Sequence, residues 1–280
     1  MAFHLGDLGV TWVTTAEVGR FLAEAEPFLL LDPVANNVLL TEARFWFWLS
    51  DPAPGARFGW WAEGNGTHGA FVDIPDHAPV CSPLSAASIA DLAGELANAP
   101  SLGVQVRDVA AVTEAWRARG QVLRPTMRMT LLRLDSLRAP VLPTGTPRVA
   151  DASDLPLLRS WFKLFQKRHP DDPSRVEFVV DHPLGEGGII VWEVHGRPLA
   201  MASRTPEVAG MTRMGLAFQP TEGTRYCEGA FVSACVEAAR TADHVLVLSG
   251  TPRSTAAYRS LGFAPVLDRV VLEVLDVQAS

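Results

Sequence analysis

The stretch that most constrains the fold is residues 187–220, GGIIVWEVHGRPLAMASRTPEVAGMTRMGLAFQP. Three apolar runs are cut there by two short turns, His195-Gly196-Arg197 and Val208-Ala209-Gly210, which predicts three consecutive strands. Before them, RVADASDLPLLRSWFKLFQKRH predicts a helix capped by Ser153 or Asp154, with Leu157, Leu158, Trp161, Phe162 and Phe165 on its buried stripe. After them come a polar turn, QPTEGTRYCEGAF, an Ala-rich helix, the strand HVLVLSG, the short helix STAAYRSLG and closing strands in FAPVLDRVVLEVL. The order is α, β, β, β, loop, α, β, α, β.

The first half is also α/β. Thr14 and Glu17 have capping-box spacing before a first helix, and a second runs from about Val34 to Leu49. RFGWWAEGNGTHGAFVDI reads as a hairpin around Gly-Asn-Gly. APVCS and LGVQVRD read as strands, SAASIADLAGELAN and DVAAVTEAWRARG as helices, and TMRMTLLRLDSL as a strand. LRAPVLPTGTP, with three prolines and no helical period, is the linker candidate. A chain of 280 residues is comfortable for two domains, here 1–140 and 141–280.

A net charge of −7 gives no general attraction to nucleic acid or an anionic membrane. Three cysteines, Cys81, Cys227 and Cys235, form no CxxC pair and point to a reducing compartment. MAFHLGDLGV lacks the features of a signal peptide, and no run approaches the ~20 apolar residues of a membrane span. The expectation is a cytoplasmic monomer or homodimer acting on a small molecule. No His, Cys and carboxylate set has metal-ligand spacing.

The order of elements, with Ala256-Ala257-Tyr258-Arg259-Ser260-Leu261-Gly262-Phe263 near its end, resembles the GNAT superfamily of acyl-CoA-dependent N-acyltransferases. The resemblance covers roughly residues 146–275. The first half, with DPVANNVLLTEA, is similar to the degenerate amino-terminal copy found in two-domain members. It implies tandem domains, each a mixed, mostly antiparallel twisted sheet flanked by helices, with acetyl-CoA or another acyl-CoA as cosubstrate. The implied cofactor contacts are Gly215, Leu216, Ala217 and Phe218 on a strand, Arg225, Gly229 and Ala230 at the polar turn, and Thr251 before the last helix. A tyrosine at the position of Tyr258 would protonate the departing thiolate, and Glu193, His195, Glu222 or Glu228 would take the amine proton.

The polar turn departs from the family pattern, Arg/Gln-x-x-Gly-x-Gly/Ala. Aligned on Gly229 it has Tyr226 and a bulky Phe231 at the outer positions; aligned on Arg225 and Ala230 it puts Glu228 where phosphate belongs. Thr251-Pro252 stands in place of Asn-Pro. Cys227, near a helix start, is a candidate nucleophile with a lowered pKa. Phe45-Trp46-Phe47-Trp48 spans too wide an arc for one helix face, so Trp46 or Trp48, with Trp61, is expected to bound an apolar substrate pocket. Two rival readings stand beside acyl transfer: a GNAT fold repurposed for another reaction, and a CoA-independent ligand-binding protein.

Overall fold

The computed structural model describes residues 10–50, 55–64 and 66–276. The first stretch of chain forms β1 (Thr11–Thr15), α1 (Val18–Leu29), α2 (Asn37–Leu49), β2 (Arg57–Glu63), β3 (Gly66–Asp73), β4 (Val80–Cys81), α3 (Ala86–Glu95), β5 (Ser101–Gln105), α4 (Val109–Arg117) and β6 (Gln121–Leu134). It continues with β7 (Thr146–Val149), α5 (Leu155–Arg168), α6 (His182–Gly185), β8 (Ile189–Val194), β9 (Arg197–Arg204), β10 (Met211–Phe218), α7 (Tyr226–Ala238), β11 (His244–Ser249), α8 (Pro252–Ser260) and β12 (Phe263–Asp276).

Two compact units result, but they are not two consecutive stretches. Unit 1 takes the residues up to Thr130 and those from Leu267 onward, and unit 2 takes Leu131–Val266. A single boundary near residue 140 therefore gives way to an interleaved division. The reason is the length of β6 and β12, 14 residues each, which lets either strand serve both units.

In unit 1 the strand order is β1-β2-β3-β4-β5-β12-β6. The pairings from β1 to β4 are antiparallel, β4 with β5 is parallel, and β5 with β12 is antiparallel from Arg269–Gln105 to Glu273–Ser101. One face is covered by α3 and α4, with Trp12, Trp61, Phe71, Leu92, Leu102, Val112, Trp116 and Leu272 forming its core. Entry to α1 differs in detail from the capping-box expectation: Thr15, not Thr14, accepts, taking the Glu17 amide at 3.0 Å. The hairpin forms as expected, β2 against β3, although Asn65 lies outside the described residues.

Unit 2 repeats the plan with the order β7-β8-β9-β10-β11-β6-β12. The pairings from β7 to β10 are antiparallel and β10 with β11 is parallel. Trp192, Ala202, Ala230, Phe231, Ala234, Val245 and Phe263 pack on one face beneath α7 and α8. Leu158, Trp161, Phe162, Val180, Val191 and Phe218 pack on the other beneath α5. Asp151, rather than Ser153 or Asp154, caps the turn leading into α5 by accepting from the Ser153 amide. Asp154 instead bonds the Asp151 amide and Arg148.

Candidate active site

β10 and β11 run side by side only from Met211–His244 to Arg213–Leu246. The ladder ends at that register, so among the described residues the β11-facing edge of Met214–Phe218 pairs with no strand. The other edge of β10 bulges between Met214 and Ala217. The cause is local: the Ser203 hydroxyl accepts from the Leu216 amide at 3.1 Å. A Cβ on Gly215 would lie 2.8 Å from that same oxygen, so a larger residue there would displace the Ser203 hydroxyl from the Leu216 amide. The expected contact strand, Gly215 to Phe218, is thus the bulged wall of an open splay. The side chain of Phe218 is buried on the α5 face, in edge contact with Phe165 at 6.1 Å and beneath the Arg168 guanidinium at 5.4 Å.

Two helices begin at the open end. α8 follows β11, and its N-cap, Thr251, accepts from the Ser254 amide at 3.1 Å. Ser249, Thr251, Ser254 and Thr255 form one hydroxyl cluster with contacts of 2.6–2.8 Å. Thr251 is therefore engaged in capping its own helix. Tyr258, on α8, packs its ring 5.6 Å from Phe231 and 5.9 Å from Phe263. Burial raises its pKa above the ordinary 10.0, and at neutral pH it is a protonated phenol.

α7 follows β10, and its first turn is already occupied. The Cys227 amide donates to Gln219 Oε1 at 2.9 Å, while Gln219 Nε2 donates to the Thr221 and Thr224 carbonyls, each at 2.9 Å. The Glu228 and Gly229 amides go to the Arg225 carbonyl. Arg225 pairs with Glu228 at 2.6 Å, so the first turn carries its own carboxylate and its own counter-ion. Bringing a phosphate to about 4 Å of that carboxylate would cost about 1 kcal/mol in water and about 4 at an effective dielectric of 20.

Gly229 is small for another reason than phosphate approach. A Cβ there would lie 2.8 Å from the Trp192 indole, so the missing side chain makes room for helix–sheet packing. Ala230 is fully buried and Phe231 is 6% exposed, both in the core beneath α7. Cys227 also differs from expectation: burial raises its thiol pKa, the opposite of an activated nucleophile.

The base candidates lie elsewhere. Glu193 accepts from Arg148 Nε at 2.7 Å, and the same guanidinium holds Asp154 at 2.6 and 2.8 Å. It is part of an ion cluster joining β7, β8 and the start of α5. His195 is exposed, with φ 51°, and forms with Gly196 the two-residue turn of the β8–β9 hairpin. Glu222 is exposed, 3.9 Å from Arg168. Trp46 and Trp61 are buried within unit 1, and Trp48, 46% exposed, stacks on Phe45 at 6.0 Å. The four-ring run thus splits into two buried and two exposed rings.

No family model matches the chain, and no curated protein matches it. Solved structures do. A GCN5-related N-acetyltransferase from Sphaerobacter thermophilus aligns over 97% of this chain and 99% of its own, at 14% identity and TM-score 0.61. An acetyltransferase of the GNAT family from Colwellia psychrerythraea aligns over 95% and 100%, at 10% identity and TM-score 0.59. A tandem GNAT protein from the clavulanic acid biosynthesis pathway aligns over 97% and 100%, at 15% identity and TM-score 0.53. This is the tandem GNAT fold. Both units have parallel fourth and fifth strands, but only in unit 2 does the fourth strand run long, eight residues against two. In unit 1, Arg269 is buried and donates to the Cys81 carbonyl at 2.9 Å and the Ala35 carbonyl at 2.8 Å. Its guanidinium thus lies at the end of β4, beside the place where that strand leaves β5.

Sequence reasoning missed Gln219, Ser203 and Arg269. Gln219 and Ser203 are polar residues in otherwise apolar or turn contexts, a weak signal. Arg269, in the run VLDRVVLEV, is one charge between apolar neighbours and marks a strand with a polar task on one face.

Proposed function

We propose that the protein is an acyltransferase that moves an acyl group from a thioester to an amine at the β10–β11 splay of unit 2. The observation that carries this reading is the splay itself, a bulged glycine-containing strand parting from its parallel neighbour, with both following helices starting at its open end. Ligands in α/β sheets sit at such strand ends, where backbone groups are unpaired and convergent. The unpaired edge of β10 offers amides to a thioester carbonyl, polarising it as negative charge develops. Tyr258, a protonated phenol at neutral pH, supplies the proton for the departing thiolate. Most of the acceleration would come from holding amine and thioester together. The acceptor is taken to be a small, partly apolar amine.

The test is thiol release from acetyl-CoA and from S-acetylpantetheine against a panel of amines. Tyr258→Phe should lower turnover about 10²-fold with donor affinity unchanged, the size expected for loss of a positioned proton donor. An unchanged rate would leave Tyr258 as packing, and absence of any amine-dependent release would remove the reading.

A further inference from the structure

Resting on the acyl-transfer reading of the same site, we infer that unit 2 recognises the acyl-pantetheine arm of its donor and not a nucleotide diphosphate. A diphosphate at the start of a helix needs free amides, small neighbours and no competing anion. All three conditions fail at α7. Of the first three helical amides, the ones a helix start leaves over, two are already bonded, Cys227 to the Gln219 side chain and Glu228 to the Arg225 carbonyl. The one small residue placed for close approach, Gly229, is filled by Trp192. The anion of the first turn is Glu228, and the cation that would answer a phosphate, Arg225, is paired with it.

The closure is anchored from two sides. Gln219 spans the turn from within, accepting from Cys227 and donating to Thr221 and Thr224. Arg168 holds the turn from α5, donating to the Gln219 carbonyl at 3.3 Å and the Pro220 carbonyl at 2.6 Å. By contrast the β10–β11 ladder ends at Arg213, with no further pairing on that edge among the described residues, and a pantetheine arm, with two amides, is the part of a thioester donor that can pair with an open strand edge. In the reaction the amine nitrogen forms a bond to the thioester carbon and the C–S bond breaks. The sulfur leaves with the electron pair and takes a proton, and the proton lost by the amine passes to solvent.

The donor chemistry, an acyl-pantetheine thioester, has a free source and a carrier-protein source. Titration calorimetry should therefore compare S-acetylpantetheine, acetyl-CoA and an acetylated acyl carrier protein on the intact chain. The inference predicts that acetyl-CoA and S-acetylpantetheine bind with dissociation constants within about threefold of each other. A carrier protein binding ten times tighter than S-acetylpantetheine identifies the carrier source, and equal or weaker binding identifies the free one. Gln219→Ala should tighten acetyl-CoA about tenfold and leave S-acetylpantetheine unchanged. Glu228→Gln, which keeps the helix start intact, should tighten acetyl-CoA a few-fold in the same selective way. Wild-type protein binding acetyl-CoA ten times tighter than S-acetylpantetheine would overturn this inference alone. If neither thioester binds, the acyl-transfer reading falls with it.

Discussion

At the scale of single residues, the same side chain means different things at a turn, in a core and at a helix start. Phe231 is the clearest case. As a bulky residue in a phosphate turn, its removal would admit a ligand; as a core ring against Tyr258 and Phe263, its removal leaves a void. Phe231→Ala should therefore cost about 3–5 kcal/mol in a denaturant titration without tightening acetyl-CoA. Trp46→Ala should cost a similar amount, whereas Trp48→Ala, at a half-exposed ring, should cost less than about 1 kcal/mol. Cys227 gives a chemical check: with its pKa raised above the usual 9.0, alkylation by iodoacetamide should stay slow at pH 7 to 8 and rise only above that value. Fast labelling at pH 7 would mean an activated thiol.

At the scale of elements, β7, β8 and α5 meet at one guanidinium. Arg148 holds Asp154 well below the usual carboxylate range, chiefly through their hydrogen bond. A carboxylate with a lowered folded-state pKa stabilises the protein above its unfolded value, 3.8, and the stabilisation is lost as pH falls through the folded value. Asp154→Asn should remove about 2 kcal/mol at pH 7, and progressively less as pH falls below 3.8, as read from denaturant midpoints at each pH. A loss independent of pH down to full protonation would mean the pair is held by packing alone. Arg269 makes the corresponding test in unit 1. Arg269→Met keeps the volume but leaves the Cys81 and Ala35 carbonyls without their donor, and should cost about 2–4 kcal/mol in a chemical melt.

At the scale of the whole chain, two units share one strand plan, and most of that plan is local enough to be legible. The β8–β9–β10 meander follows from apolar runs separated by His195-Gly196 and Ala209-Gly210, whose positive φ values suit the turns. The exchange of long strands between units is not legible, because TMRMTLLRL and VLDRVVLEVL read as strands without naming their partners. The candidate site divides the same way. Gly215 and Tyr258 stand on elements that pattern identifies, but the role of Gly229 depends on Trp192 two strands earlier. The closed turn depends on where the Gln219 amide points. The central claim, that unit 2 holds an acyl thioester at its β10–β11 splay, is tested most directly by amide hydrogen exchange with and without millimolar S-acetylpantetheine. Slowed exchange is expected across residues 214–218 and 247–251, with none around residues 80–85 of unit 1. Protection confined to unit 1, or no change anywhere, would contradict it.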